Sequence, residues 1–133
     1  MSEIAVIGAG AWGTAISIVL GRKSTHRVRL WAYEAEVRDS IAADRVNHLF
    51  LPGYCLPETV ACTNSLEEVL SGAEIVVSVM PSHHTRRLFE AMRPYLRPEM
   101  LFVSATKGIE NNSLLRMTEV ITEILGSGPG GFR

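Results

Sequence analysis

Ile4-Ala5-Val6-Ile7-Gly8-Ala9-Gly10-Ala11-Trp12-Gly13-Thr14-Ala15-Ile16 is the stretch on which the fold turns. Four apolar residues stopped by a glycine suit a strand buried on both faces. Beyond the glycines, Trp12, Ala15, Ile16, Val19 and Leu20 recur at i, i+3, i+4, i+7 and i+8, the stripe of a helix that ends near Gly21. Strand, tight turn and helix thus follow one another directly.

Outward from this unit the pattern repeats. Residues 27–32 alternate, with Val28, Leu30 and Ala32 apolar, and predict a second strand; residues 34–43 are charged and alanine-rich and predict a helix. Periodicity disappears over residues 44–58, where Pro52, Gly53 and Pro57 predict a long loop. Residues 60–63 suit a short third strand, and Ser65 followed by Glu68 is a capping-box signature for a brief helix. Ile75-Val76-Val77-Ser78-Val79-Met80 is the strongest strand of the sequence. Pro81 ends it, Ser82 is placed to cap the next helix, and Leu88, Phe89, Met92 and Leu96 give that helix an apolar face. Leu101-Phe102-Val103 makes a fifth strand, and Leu114, Met117, Ile121, Ile124 and Leu125 stripe a last helix before a glycine-rich end.

Five alternations of strand and helix predict an α/β fold, a doubly wound parallel sheet with helices on both faces. Residues 1–126 read as one such domain and residues 127–133 as a flexible tail. Ligands of these sheets bind outside the carboxyl ends of the strands, here the segments after Ile7, Ala32, Met80 and Ser104.

Composition narrows the partners. The 133 residues are 47% hydrophobic, enough for a core, and 13 Lys+Arg against 14 Asp+Glu leave a formal charge of -1. Bulk electrostatics therefore recommend neither nucleic acid nor an anionic membrane, and any bound anion must be held locally. Cys55 and Cys62 form no CxxC pair, which supports neither a zinc site nor a disulfide framework. With no basic leader and no membrane span in the pattern, a cytoplasmic location is expected.

Gly8-Ala9-Gly10-Ala11-Trp12-Gly13 has the GxGxxG spacing between a buried strand and a helix, the context of a dinucleotide-binding (Rossmann-type) turn. Gly8 permits the turn, Gly10 lets a pyrophosphate approach the backbone, and Gly13 lets the helix pack close. The helix N-terminus adds unpaired N–H groups and a positive dipole end. An acid that reads the ribose 2'-hydroxyl is expected about 20 residues past the turn. Ala32 stands there instead, followed by Tyr33 and Glu34. Tyr33 suits an adenine contact or a half-exposed strand end. Glu34 would repel a 2'-phosphate, which leans towards NAD over NADP, although Arg29 and Arg38 are near in sequence.

With these segments together, the chain resembles bacterial NAD(P)-dependent glycerol-3-phosphate dehydrogenase. The glycine turn with Trp12, Leu30-Trp31, Asn47 with Leu51-Pro52-Gly53 and Leu56-Pro57, Pro81-Ser82-His83, and Thr106-Lys107-Gly108-Ile109-Glu110 carry the match in order. The resemblance implies hydride transfer between NAD or NADP and the C2 carbon of glycerol 3-phosphate or dihydroxyacetone phosphate, feeding glycerophospholipid synthesis in a cytoplasmic homodimer. It implies that Ala11 and Trp12 touch the cofactor phosphates, that Tyr33 stands at the adenosine end, and that Lys107 contacts both cofactor and substrate. Related dehydrogenases of ketopantoate or sugar-nucleotide type, and a nucleotide-binding module without chemistry, are the alternatives.

Lys107 also stands out from its position alone. It follows the fifth strand at the sheet's carboxyl edge, where a cation can orient an anionic substrate or polarise a carbonyl. Pro81 and Ser82, one strand over, are expected to edge the nicotinamide side. His83-His84 is set aside as a catalytic or metal pair because neighbouring histidines at a helix start are expected to diverge. Asn47 and the Leu51-Pro52-Gly53 loop suit a lid beside the site or simple irregular packing. The resemblance further implies a helical domain beyond this chain that supplies the main catalytic lysine, so the 133 residues alone are expected to be inactive.

Overall fold

The computed structural model describes residues 2–23, 25–105, 116, 119–121 and 124. Its main sheet is built from β1 (Ser2–Ile7), β2 (His26–Trp31), β5 (Val60–Thr63), β6 (Ile75–Ser78) and β7 (Leu101–Ser104). They lie parallel in the order β5-β2-β1-β6-β7, a Rossmann-type doubly wound sheet. Register aligns the carboxyl ends in one row: Thr63 opposite Trp31, Trp31 opposite Ile7, Ile7 opposite Ser78 and Ser78 opposite Ser104. The chain runs outward from β1 to β2 and β5, then returns to the other side of β1 at β6. The crevice of the sheet therefore opens between the segments after β1 and β6.

Alternation along β1 explains the two layers. Ile4 and Val6 pack with Ile18 of α1 (Ala11–Gly21) and with Val37 and Ile41 of α2 (Ala35–Asp44). Ala5 and Ile7 face the opposite side, towards Val69 and Leu70 of α3 (Leu66–Leu70) and Leu88, Phe89 and Met92 of α4 (Thr85–Met92). Every residue from Ile4 to Ile7 is buried, as a central parallel strand requires. The expected last helix lies mostly outside the described residues, but residues 119–121 and 124 are helical, with Val120 and Ile124 buried in the α3/α4 layer. The 127–133 tail lies outside them altogether.

The helix after the glycine turn buries a different face from the expected one. Trp12 is 64% and Val19 60% exposed, whereas Gly13, Thr14, Ser17, Ile18 and Gly21 are buried. Small residues let α1 approach more closely than the larger apolar stripe would allow. Their hydroxyls are satisfied locally, Ser17 Oγ donating to the Gly13 carbonyl at 2.9 Å.

Two further expectations change. Residues 44–58 do not form a structureless loop: β3 (Val46–Asn47) and β4 (Leu51–Cys55) pair antiparallel as a separate hairpin. Arg45 turns the chain out of α2 in the left-handed conformation, φ 58°, and its N–H donates to Ile41. Pro52 and Gly53 are tolerated because, among the described residues, β4 has a partner on one side only. Ser82, expected as a cap, instead begins a 3-10 turn over Ser82–His84, and neither that turn nor α4 has a side-chain cap.

Ser65 does cap α3, its Oγ accepting from the Glu68 N–H at 3.2 Å. The reciprocal half of the capping box is replaced, since Glu68 Oε2 accepts from Thr63 Oγ1 at 2.6 Å and the Ser65 N–H donates to that same hydroxyl. Ser65→Ala is expected to cost about 1 kcal/mol, measured as a lower urea midpoint at unchanged slope.

Candidate functional site

A cleft of about 810 Å³ opens at the carboxyl edge of the sheet. Its floor is the turn Gly8 to Gly13, one wall is Trp31 at the end of β2 with Tyr33 and Glu34 beyond it, and the other is Val79, Met80 and Pro81 after β6. His84, Arg87 and Leu88 extend the second wall, Ala105 lies beyond β7, and Phe50 reaches in from the hairpin. Gly8, Gly10, Ala11, Trp12, Gly13, Tyr33 and Pro81, singled out in the sequence, therefore share one cavity. Lys107 and the Thr106-to-Glu110 run lie outside the described residues.

Three glycines build the floor for three different reasons. Gly8 sits at φ 124°, and a Cβ there would stand 3.0 Å from backbone atoms of Val79 and Met80. A Cβ on Gly13 would lie 1.8 Å from the Gly8 carbonyl oxygen, so the close approach is to the turn itself as much as to the sheet. Gly10 has an ordinary φ of −70°, and a Cβ there would meet no atom of the described residues within 4 Å. Among the described residues nothing requires glycine at position 10; the open face is a cradle that a side chain would fill.

Helix α1 starts at that cradle without a cap. Gly10 supplies no side-chain acceptor, the first turn holds no acid, and the first intrahelical bond is Thr14 N–H to the Gly10 carbonyl at 3.0 Å. The N–H groups of Ala11, Trp12 and Gly13 therefore lack intrahelical acceptors at the positive end of the helix dipole. Phosphate oxygens match both the space and the donors. The residues present fit a dinucleotide pyrophosphate.

The first of these walls is fixed by partly buried hydrogen bonds. Trp31 donates its indole N–H to the Asn64 carbonyl at 2.9 Å, and Asn64 Nδ2 donates to the carbonyls of Ala32 at 2.7 Å and Glu34 at 3.2 Å. Tyr33 stands edge-on to Trp31 with 72% of its surface exposed, which leaves its ring free to lie against a ligand. Arg29 is turned away and donates to the Glu68 and Ser71 carbonyls, while Arg38 pairs with Asp39 at 3.0 Å. Neither of these arginines lines the cleft, so Glu34 sets the charge at the end of β2.

His83 and His84 do not diverge as expected. The 3-10 turn brings their rings to 4.0 Å, and His84 Nδ1 accepts from Arg87 Nη2 at 2.8 Å. Burial, then His83 and the Arg87 guanidinium, hold the His84 imidazole below the ordinary histidine value. The contact holds the Arg87 guanidinium beside the imidazole on this wall. The sequence pattern does not single out His84, Arg87 and Phe50 as cleft residues; Pro81 at the end of a buried strand is the available signal for the first two. Cys55 is exposed and Cys62 half-buried, both free, with burial pushing the Cys62 thiol up to about 11. Among the described residues no His/Cys/Asp/Glu cluster is placed to hold a metal ion, and no helix is long and apolar enough to cross a membrane.

The family model described as NAD-dependent glycerol-3-phosphate dehydrogenase N-terminus matches residues 3–131. The chain belongs to that family. It is 65% identical over 125 residues to the glycerol-3-phosphate dehydrogenase [NAD(P)+] of Koribacter versatilis, covering 94% of this chain and 37% of that protein. The corresponding protein of Geobacter sulfurreducens is 47% identical over 126 residues, again covering 94% of this chain and 37% of the relative. The crystal structure of glycerol-3-phosphate dehydrogenase from Coxiella burnetii superposes with a TM-score of 0.86 at 36% identity, covering 93% of this chain and 38% of that one. The chain thus spans little more than a third of the length of the glycerol-3-phosphate dehydrogenases it matches.

Proposed function

We propose that this chain is the NAD(P)-binding part of a glycerol-3-phosphate dehydrogenase and that the cleft takes the cofactor with its pyrophosphate over Gly10. The uncapped start of α1 beside the open face of Gly10 carries this reading. Gly8, Gly10, Ala11, Trp12 and Gly13 line the phosphate end, Tyr33 lies against the adenosine, and Pro81 edges the nicotinamide. When bound, the cofactor supplies a hydride at its nicotinamide ring, exchanged with C2 of dihydroxyacetone phosphate or sn-glycerol 3-phosphate. This chain binds and orients; Lys107, following β7 in sequence, holds the anionic substrate and balances the charge that develops on the carbonyl oxygen. The proton that completes the alcohol comes from the longer protein, so the 133 residues alone do not turn over substrate. The full-length enzyme is a cytoplasmic homodimer acting in glycerophospholipid synthesis, with no nucleic-acid or membrane partner.

Glu34 favours NAD over NADP, because it lines the cleft just past the end of β2, where a 2'-phosphate would sit, and Arg29 and Arg38 are engaged elsewhere. Titration of the 133-residue chain with NADH and NADPH, followed by tryptophan fluorescence, tests both parts. NADH is expected to bind more tightly, and Glu34→Gln to narrow the gap by about fivefold at low salt through loss of one like-charge repulsion. Absence of NADH binding overturns the reading, and an unchanged gap overturns the role of Glu34.

A further inference from the structure

Asn47 is completely buried in β3, yet it belongs to neither layer of the sheet. Its Nδ2 donates to the Ala9 carbonyl at 2.9 Å and to Thr14 Oγ1 at 2.9 Å, and its Oδ1 accepts from the Phe50 N–H at 3.1 Å. Thr14 Oγ1 in turn donates to the same Ala9 carbonyl at 3.4 Å. Two donors on one atom and an acceptor on the other are what a carboxamide offers at this length. Aspartate has no donor when ionised, and leucine, of similar size, has neither donor nor acceptor.

The consequence lies in the peptide that Asn47 holds. The Ala9–Gly10 peptide is trans, so its C=O and N–H point in opposite directions. Two donors fix the Ala9 oxygen inside the protein, against β3 and α1. The Gly10 N–H of the same plate is thereby aimed the other way, towards the face where a Cβ would meet no atom of the described residues within 4 Å. Were the plate to flip, the negative carbonyl end would confront the ligand. The flip turns ψ of Ala9 and φ of Gly10, and glycine at position 10 accepts the positive φ that results at little steric cost, so the orientation has to be held from outside the turn. The bond to Phe50 ties the hairpin's contribution to the cleft to the same anchor.

We propose that Asn47 is a positioning residue for the cofactor pyrophosphate: it locks the Ala9–Gly10 peptide so that the Gly10 N–H is a ready donor, and it joins Phe50 to that turn. This rests on the reading that the cleft takes NAD(H).

The test uses Asn47→Asp in the 133-residue chain, with NADH titration and the backbone amide spectrum during ADP addition. Thermal melts establish the temperature at which each variant is folded. In the unmodified chain ADP is expected to move the Gly10 amide proton downfield as it bonds a phosphate oxygen. In folded Asn47→Asp that movement disappears and the Kd for NADH rises about 10-fold to 100-fold, the range for losing charge-assisted donors. If Asn47→Asp does not fold, Thr14→Val decides: it removes one donor from the Ala9 carbonyl and is expected to raise the Kd about threefold to tenfold. An unmodified chain in which no turn amide responds to ADP overturns the cofactor reading, and this proposal with it. A responsive unmodified chain, with an unchanged Gly10 shift and Kd in the deciding variant, overturns the role of Asn47 alone.

Discussion

Gly13→Ala is expected to lower the melting temperature by roughly 10 °C and to remove measurable NADH binding together with the native fold of the turn. On intrinsic helix propensity alone the substitution would stabilise α1 by about 1 kcal/mol, since glycine is a poor residue two positions inside a helix. The structure reverses the sign. The new Cβ would sit 1.8 Å from the Gly8 carbonyl oxygen and 3.0 Å from its carbon, and both are backbone atoms. A flexible side chain could swing aside at little cost, whereas this carbonyl belongs to a turn pinned by Gly8 N–H donating to Trp31 at 3.1 Å. Helix and turn must separate by more than an ångström, which reopens the packing of Thr14, Ser17 and Ile18 as well. Overpacking of this kind costs about 3 kcal/mol, and for a chain of this size each kcal/mol shifts the melting temperature by a few degrees. A thermal melt by circular dichroism reads the outcome, and a melting temperature equal to or above that of the unmodified chain would rule out so close an approach of helix and turn.

The same contact shows what hydropathy can and cannot reveal. Strand β1 and the turn after it are legible because a four-residue apolar run ending in glycine has few other uses, and the five parallel strands follow from alternation. The buried face of α1 is not. Trp12 and Val19 dominate any apolar count, but Gly13, Thr14, Ser17 and Gly21 are what a closely packed helix needs. Small residues carry their meaning through the distance they permit, and hydropathy does not record distance. The β3/β4 hairpin is hidden for a related reason. Two residues of β3 are too few to show a period of 2, and Pro52 and Gly53 in β4 read as loop until its single partner is known.

The site divides along the same line. Gly8, Gly10 and Gly13 announce themselves by spacing, and Tyr33 and Pro81 by following buried strands. Phe50, His84 and Arg87 reach the cleft only because a hairpin folds back over α1 and a 3-10 turn redirects the chain after β6. Asn47 lies between these cases. It is visible as part of a motif with Leu51-Pro52-Gly53, but its work is done 38 residues away on Ala9. The local pattern of residues 44–58 holds no trace of such a bond.

Gly10→Ala should separate the ligand from the fold. The backbone at position 10 is already in a region open to alanine, φ −70° and ψ −172°, and the added methyl meets no atom of the described residues within 4 Å. Alanine is a markedly poorer N-cap than glycine, by up to about 1 kcal/mol, but loses less chain entropy on folding by a similar amount, so the two effects oppose each other and stability is expected to stay within about 0.5 kcal/mol. Affinity behaves differently. The methyl occupies the open face beside the N–H groups of Ala11 and Trp12, and a phosphate displaced by about 1 Å loses its alignment with all of these donors together. A loss of about 100-fold in NADH affinity is expected, in line with the sensitivity of preorganised sites to such displacements. Melting and titration on the same sample decide the matter. Unchanged stability with lost binding identifies the cradle as a ligand surface, the reverse of Gly13→Ala, where binding fails because the turn does. Unchanged binding in a folded Gly10→Ala chain would mean that the pyrophosphate does not lie over Gly10, and with it would go the reason for the one glycine of the turn that the described residues do not demand.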